Sequence, residues 1–441
     1  MKRSLTEGNV AKSLLLFAGP MILGNMLQQF YNIADTLIVG RALGEDALAA
    51  VGSAYTLMTF LTSVLIGLCM GSGAAFSYYF GRQEKDKMKN SMWISFVLIG
   101  ITSVILNGIV VFCSEGILRL LQMPPELMDM MREYTDTVFM GLFFVFLYNY
   151  FSFLLRALGN SVVPLWFLGS TALLNVALDI LFVPYLGWGI RGAAQATVIA
   201  QIVSGVGIGL YTWIREPELR PTQADRRFSR RAVLEVANFS VAASVQQSIM
   251  NFGILMVQGL VNSFGAVVMA AFAAGVKIDT LAYMPAQEFG NAFSLFISQN
   301  YGAGQKERVR QGMKDAVKIS LMFCIMISLL VFMAAEYLIM LFVKDPSAGI
   351  IRTGAGYLRV EGAFYCGIGI LFLLYGYYRG INRPEMSLVL TVISLGTRVL
   401  LAYCLAAVPG IGVAGVWWAI PIGWILADVT GVVYMIRKKE A

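Results

Sequence analysis

Histidine is absent from the 441-residue chain, which removes imidazole metal ligands and imidazole proton relays. Any proton carried here must travel on carboxylates. Charge is scarce as well. Asp, Glu, Lys and Arg make up 13% of the residues, about half of the roughly 25% found in soluble domains, so a water-surrounded globule is excluded. The five cysteines (Cys69, Cys113, Cys324, Cys366, Cys404) show no CxxC spacing and sit in or near apolar segments, where cysteine packs as a small hydrophobe. No GxxxxGKS/T run occurs, so work done on a solute must draw on an ion gradient or a partner subunit. With no metal-ligand cluster in the pattern, an enzyme is disfavoured, and no cofactor is expected.

What fills the chain instead is apolar: 58% hydrophobic residues and a mean hydropathy of +0.71. Stretches long enough to cross a bilayer recur throughout, at roughly 13–37, 47–80, 91–113, 135–155, 163–183, 190–213, 233–261, 266–300, 314–341, 354–378, 385–407 and 412–436. The chain also repeats itself. Leu43–Val51 aligns with Phe264–Phe272, and Phe80–Lys89 with Tyr301–Arg310, both 221 positions later. Gly187, Gly189 and Gly192 fall on Gly410, Gly412 and Gly415 at an offset of 223. Six crossings return the chain to the side it started from, so the two halves are parallel repeats about an axis along the membrane normal, as in many transporters. The expected fold is an all-α integral membrane protein of about twelve transmembrane helices. Residues 1–214 form an N-terminal six-helix bundle, 215–231 a basic linker and 232–441 a C-terminal six-helix bundle.

Charge placement sets the orientation. With both termini inside, most of the 33 Lys and Arg lie on the inner side, including six within Arg215–Arg231. Only Arg41, Arg119, Arg132, Arg191, Lys344, Arg352 and Arg359 fall outside, and Lys277 and Arg398 fall within spans. That is the positive-inside asymmetry, and it accounts for the net charge of +7 without a nucleic-acid partner. Lys2 and Arg3 precede an apolar run too long for a signal peptide, so the run reads as an uncleaved first helix. Outside, Ser114–Glu133 with Pro124 and Pro125 reads as a loop carrying a short helical turn. The two GxGxxG matches, at Gly187–Gly192 and Gly410–Gly415, lack a βαβ context and serve as tight turns between spans.

Polar residues at membrane depth carry the chemistry. An Asp at a span centre costs about 2.5–3.5 kcal/mol on insertion scales, so each needs a partner or a wet cavity. Asp35 follows Tyr31 by one turn, and Asp179 follows Asn175 by one turn, so each pair shares a helix face. Pro20 removes a backbone hydrogen bond from the first span and invites a kink. With Thr197 of the sixth span, these residues form a candidate cluster of two carboxylates, an amide and hydroxyls. Such a cluster can load and release a proton, or hold a small cation on oxygen ligands; the bland alternative is that each group caps a neighbouring helix. In the second half, Glu288 and Glu361 are candidates for lining a cavity that attracts cations, Lys277 and Asp279 fit ion pairs to another helix, and Arg398 lies within a span. Asp428 reads as a packing or helix-end residue. The 23 methionines and the aromatic content suit a pocket for varied apolar cations, although ordinary packing explains most of them.

These features resemble the multidrug and toxic compound extrusion (MATE) transporters. The resemblance spans the whole chain. It rests on the order of spans, the inside-loop run Gln299–Gly304 with its partner Phe80-Gly81-Arg82, and Leu155–Asn160 through Pro164, echoed by Arg379–Pro384. It implies a V-shaped pair of bundles that opens a central cavity to each side in turn and exports organic cations and drugs against inward H⁺ or Na⁺ flow. In the prokaryotic branch with first-bundle coupling, the network matches Tyr31, Asp35 and Pro20 on the first span. It further matches Asn175 and Asp179 on the fifth, Thr197 on the sixth, and Tyr134 and Asn149 on the fourth. Na⁺ would then sit at Asp35, Asn175 and Asp179. Ser152 stands where a second fourth-span Asn is common, and Gln246 and Gln247 stand where the other branch has a seventh-span Glu. Gln246, Glu288, Glu361 and Lys277 are the implied cavity residues.

The resemblance thus implies a monomeric, multi-pass exporter in a bacterial plasma membrane, both termini cytoplasmic, taking amphipathic cationic small molecules by H⁺ or Na⁺ antiport. The alternative is a lipid-linked saccharide flippase of the same superfamily. It would call for extra spans or a strongly basic cavity, and only Lys277 and Arg398 are intramembrane cations here. The charges themselves do not repeat: Asp35 falls on Met256 and Asp179 on Ala402. Coupling is expected in one half only.

Overall fold

The computed structural model describes residues 4–120, 125–343 and 347–438. Lys2, Arg3, Pro124 and Lys344 lie outside the described residues, as do the side chains of Cys113 and Arg119. The first half holds α1 (Val10–Leu43), α2 (Glu45–Gly81), α3 (Lys85–Leu120), α4 (Pro125–Phe139), α5 (Leu142–Ala157), α6 (Val162–Ile180) and α7 (Gly189–Arg215). The second holds α8 (Arg230–Asn262), α9 (Ala266–Gly302), α10 (Lys306–Phe342), α11 (Ala348–Ala363), α12 (Tyr365–Gly380), α13 (Pro384–Ala406) and α14 (Val413–Arg437).

Ten of these helices are long and apolar enough to cross a membrane alone, and the total is up to twelve if α4–α5 and α11–α12 each make one span. Those pairs are bent by 43° and 51°. Where the sequence places single spans at 135–155 and 354–378, each half has two helices meeting at a bend. Ser114–Glu133 is also more helical than expected, since α3 runs to Leu120 and α4 starts at Pro125. Proline suits that first position because its missing N–H would have no intrahelical partner there. α6 ends in a π-helical turn, Leu181–Tyr185, around Pro184.

The chain divides into two compact units. Unit 1 contains Gly19–Ser244, and unit 2 contains Leu5–Ala18 with Val245–Ala441. The division passes through the middle of α8 and through α1 just before Pro20, not through 215–231. Side-chain chemistry explains the memberships. In unit 1, α8 comes so close to α2 that a β-carbon on Gly71 would lie 2.2 Å from the Phe239 carbonyl oxygen. The hydroxyls of Ser72 and Ser240 are 2.8 Å apart, and Ser244 donates to the Val64 carbonyl at 3.0 Å. Small residues permit that approach, and their hydroxyls satisfy each other. The connection before α8 is pinned as well: the Asn90 amide donates to the carbonyls of Asp225 and Arg227. In unit 2, Arg308 donates to the carbonyls of Leu5, Glu7 and Gly8, and Gln299 accepts from the Leu5 N–H at 2.7 Å.

Backbone geometry carries the duplication even where residues differ. Gln83 has φ 59° and its counterpart Gly304, 221 positions on, has φ 72°. Gly159 has φ 82° and its counterpart Asn382, 223 positions on, has φ 63°. A left-handed residue ends the same helix in each half, with glycine supplying it in one copy and an amide residue in the other. The glycines of the two GxGxxG runs are left-handed too, at Gly187, Gly189, Gly410 and Gly412, as tight turns require.

Candidate functional site

Unit 1 gathers two carboxylates from distant parts of the sequence. Asp35 lies near the end of α1 and Asp179 one residue before the last residue of α6, where the π turn begins. The two carboxyl groups stand close enough to act on each other electrostatically. Asp179 is 0% exposed, and one oxygen of each carboxyl is buried without a hydrogen-bond partner among the described residues.

Three further residues complete the surroundings. With its amide oriented to satisfy its neighbours, Asn175 donates to Asp179 Oδ2 at 3.1 Å and accepts from the Thr197 N–H at 3.3 Å. The Thr197 hydroxyl donates to the Ala193 carbonyl at 3.1 Å, and Tyr134 on α4 is buried. Tyr31 and Tyr134 both lie within electrostatic reach of Asp35 and Asp179. The wall is apolar: Val39, Ala50, Ala54, Val138, Val183 and Ala193 belong to one buried cluster that includes Tyr134. Small side chains there let four helices converge on the pair, and a low dielectric strengthens every charge interaction inside.

The structure therefore brings together Asp35, Asp179, Asn175, Thr197, Tyr31 and Tyr134. Asn149 is separate. It sits fifteen residues beyond Tyr134, past the α4–α5 bend, which is roughly 20 Å of helix, and its amide donates to the Val145 carbonyl at 2.9 Å. Ser152 is buried with its hydroxyl oxygen unpartnered among the described residues. Pro20 lies inside an α1 that continues through it.

Unit 2 has a polar cluster of its own. Asp279, on α9, accepts from Tyr365 Oη at 2.6 Å and from Tyr357 Oη at 3.3 Å. Glu361, on α11, is 0% exposed, and neither carboxyl oxygen has a hydrogen-bond partner among the described residues. Arg398, on α13, has its Nε buried without a hydrogen-bond partner among the described residues. Tyr357 packs edge-on against Trp417 and Phe272, with ring centroids 5.0 and 5.4 Å away. Gly275 makes room for it, since a β-carbon there would meet the Tyr357 ring at 2.5 Å. Lys277 is exposed and Asp279 buried, so their two-residue spacing points them apart. Glu288 accepts from Asn291 at 3.1 Å, and Gln246 is buried.

Sequence reasoning missed Tyr357 and Tyr365. A signal was present, because both lie four residues from Glu361. Read as helical spacing, however, it points to Glu361, and the tertiary structure gives both phenols to Asp279. Among the described residues no group of three or more acidic or cysteine side chains could hold a metal ion.

Comparisons with known proteins agree with this architecture. The MatE family model matches residues 20–181 and 242–404. The probable multidrug resistance protein YpnP of Bacillus subtilis is 31% identical over 389 residues, covering 88% of this chain and 86% of that protein. A FAD transporter of Shewanella oneidensis is 25% identical over 442 residues, covering 97% of this chain and 95% of the relative. Among solved structures, an outward-facing multidrug resistance MATE family transporter of the MOP superfamily superposes with a TM-score of 0.92. It is 24% identical, with 99% of this chain and 97% of that chain covered.

Proposed function

This chain belongs to the MATE family of multidrug efflux transporters, and on that premise we propose that it exports amphipathic cationic small molecules by cation antiport, with Asp35 and Asp179 as the coupling pair. The observation that carries the reading is the convergence of Asp35 from α1 and Asp179 from α6, with the Asn175 amide bonded to Asp179. Two carboxylates brought together from separate helices repel when both are ionised, so loading or removing a cation between them changes how α1 is held. Asn175 and Thr197 orient Asp179, while Tyr31 and Tyr134 supply further oxygens at the pair. A proton held by one of two neighbouring carboxyls relieves that repulsion, which favours H⁺ as the coupling ion. The two carboxylates and the Asn175 carbonyl also form an oxygen set suited to Na⁺. Both termini are assigned to the cytoplasm, with the basic connection before α8 on that side.

Dye efflux from proteoliposomes under separately imposed proton and sodium gradients tests this reading. The wild-type protein should respond to the proton gradient, and Asp35→Asn should lose the response while remaining monodisperse. Undiminished efflux by Asp35→Asn would overturn the assignment, and a response to sodium alone would replace the ion. FAD, the cargo named for the Shewanella relative, is run beside the cationic dyes. Gradient-driven transport of FAD with no transport of dye would replace the substrate class.

A further inference from the structure

The connection into α8 carries Arg226, Arg227, Arg230 and Arg231 within six residues, with no acid among them. Positive-inside placement accounts for their number but not for how they are held. The Arg226 guanidinium lies over the Trp93 ring, 5.0 Å from its centroid, and Arg231 Nε donates to Glu235 at 3.2 Å. The Asn90 amide fixes the backbone between them through the carbonyls of Asp225 and Arg227. Among the described residues Arg231 is the one member of the run with an acidic partner, and Arg227 and Arg230 are exposed.

The first turns of α8, all within unit 1, carry these charges onto an apolar face. Arg230, Leu234, Asn238 and Val241 recur at helical spacing, so they line one side over roughly 16 Å. Along that side guanidinium gives way to open hydrocarbon, since Leu234 is 58% exposed and Val241 51%. An open depression of about 500 Å³ lies there, lined by Arg230, Arg231, Leu234, Glu235 and Asn238. Glu235 does not oppose an anion, because Arg231 and, at 3.0 Å, Tyr79 Oη both donate to its carboxylate. The depth is that of a headgroup layer. Arg226 over Trp93 and Arg220 over Trp213 set guanidiniums against indoles, which collect at membrane–water interfaces.

We propose that this face of unit 1 binds an anionic phospholipid of the adjacent leaflet, with its phosphate on Arg230 at the depression and an acyl chain along Leu234 and Val241. A guanidinium without an acidic partner offers a planar fork of donors that suits phosphate oxygens. Arg227 and the anchored Arg226 keep the surrounding field positive. A free phosphate would use the arginines and leave the hydrocarbon side bare, whereas a lipid covers both ends of the face.

The test titrates the full-length protein, purified in a non-ionic detergent at about 0.15 M salt, with short-chain phosphatidylglycerol, short-chain phosphatidylcholine and inorganic phosphate. Binding is followed by thermophoresis, so the outcome is independent of what the protein transports. Phosphatidylglycerol should bind saturably and the other two should not compete with it. Arg227→Gln with Arg230→Gln should weaken it by about tenfold or more, because each basic group near an anionic headgroup is worth about fivefold. Leu234→Asn should weaken it by about fivefold, through lost apolar contact. Lys314→Gln with Lys318→Gln removes the same charge from exposed positions on α10 and should leave affinity within about twofold. Equal losses in the two double variants would overturn the proposal, since the attraction would then belong to net charge. Unchanged binding by Leu234→Asn, displacement by inorganic phosphate at the lipid's own concentration, or no saturable binding by the wild type would each overturn it too. All the substituted side chains are exposed, and unaltered thermal unfolding of each variant without lipid is the expected check on folding.

Discussion

The two units solve one problem, buried acids in a membrane, in opposite ways. In unit 1, Asp35 of α1 and Asp179 of α6 are brought together, and the Asn175 amide donates to Asp179. In unit 2, Asp279 accepts hydrogen bonds from Tyr357 and Tyr365, while the Glu361 carboxyl has no hydrogen-bond partner among the described residues. The backbones that hold these groups are copies, down to the left-handed residues that end their helices. Duplication thus kept the scaffold while the chemistry diverged.

The sharpest way to break this contrast is to neutralise one acid in each unit. Asp179→Asn should reduce gradient-driven efflux to background, whereas Glu361→Gln should retain at least about half of it; in proteoliposomes, equal losses would erase the distinction. A smaller effect is expected for Tyr365→Phe. It removes a 2.6 Å bond to a buried carboxylate, which is worth about 1.5–3 kcal/mol. Melting in detergent should fall accordingly while the ion dependence of efflux stays unchanged. The smallest effect belongs to Lys277→Ala. Its exposed side chain is turned away from the buried cluster, so stability should change by no more than about 0.5 kcal/mol, and a larger loss would place Lys277 in a network.

Much of the unit 1 site is legible because its parts are local. Asn175 and Asp179 are one turn apart on one helix, as are Tyr31 and Asp35, and helical periodicity alone puts each pair on a common face. That Asp35 meets Asp179 is not local, since 144 residues separate them. The breaks in the two fourth spans were hidden for a similar reason. Hydropathy is continuous through Met140-Gly141 and through Phe364, so nothing in it marks a 43° or 51° bend. In unit 2 the spacing of Tyr357, Glu361 and Tyr365 even pointed to the wrong acid. The α11–α12 bend at Phe364 turns Tyr365 onto a different axis, where it reaches Asp279 on α9.

By itself, then, the sequence determined that the chain lives in a bilayer, that it is a duplicated set of helices, and which polar residues share a helix face. Those properties follow from composition and from periodicities of a few residues, which any helix must express. Only the tertiary structure decided which acids meet, which are capped by phenols, and which are left without a donor among the described residues. Those choices depend on how helices distant in sequence pack, and a buried charge takes whatever partner that packing sets beside it.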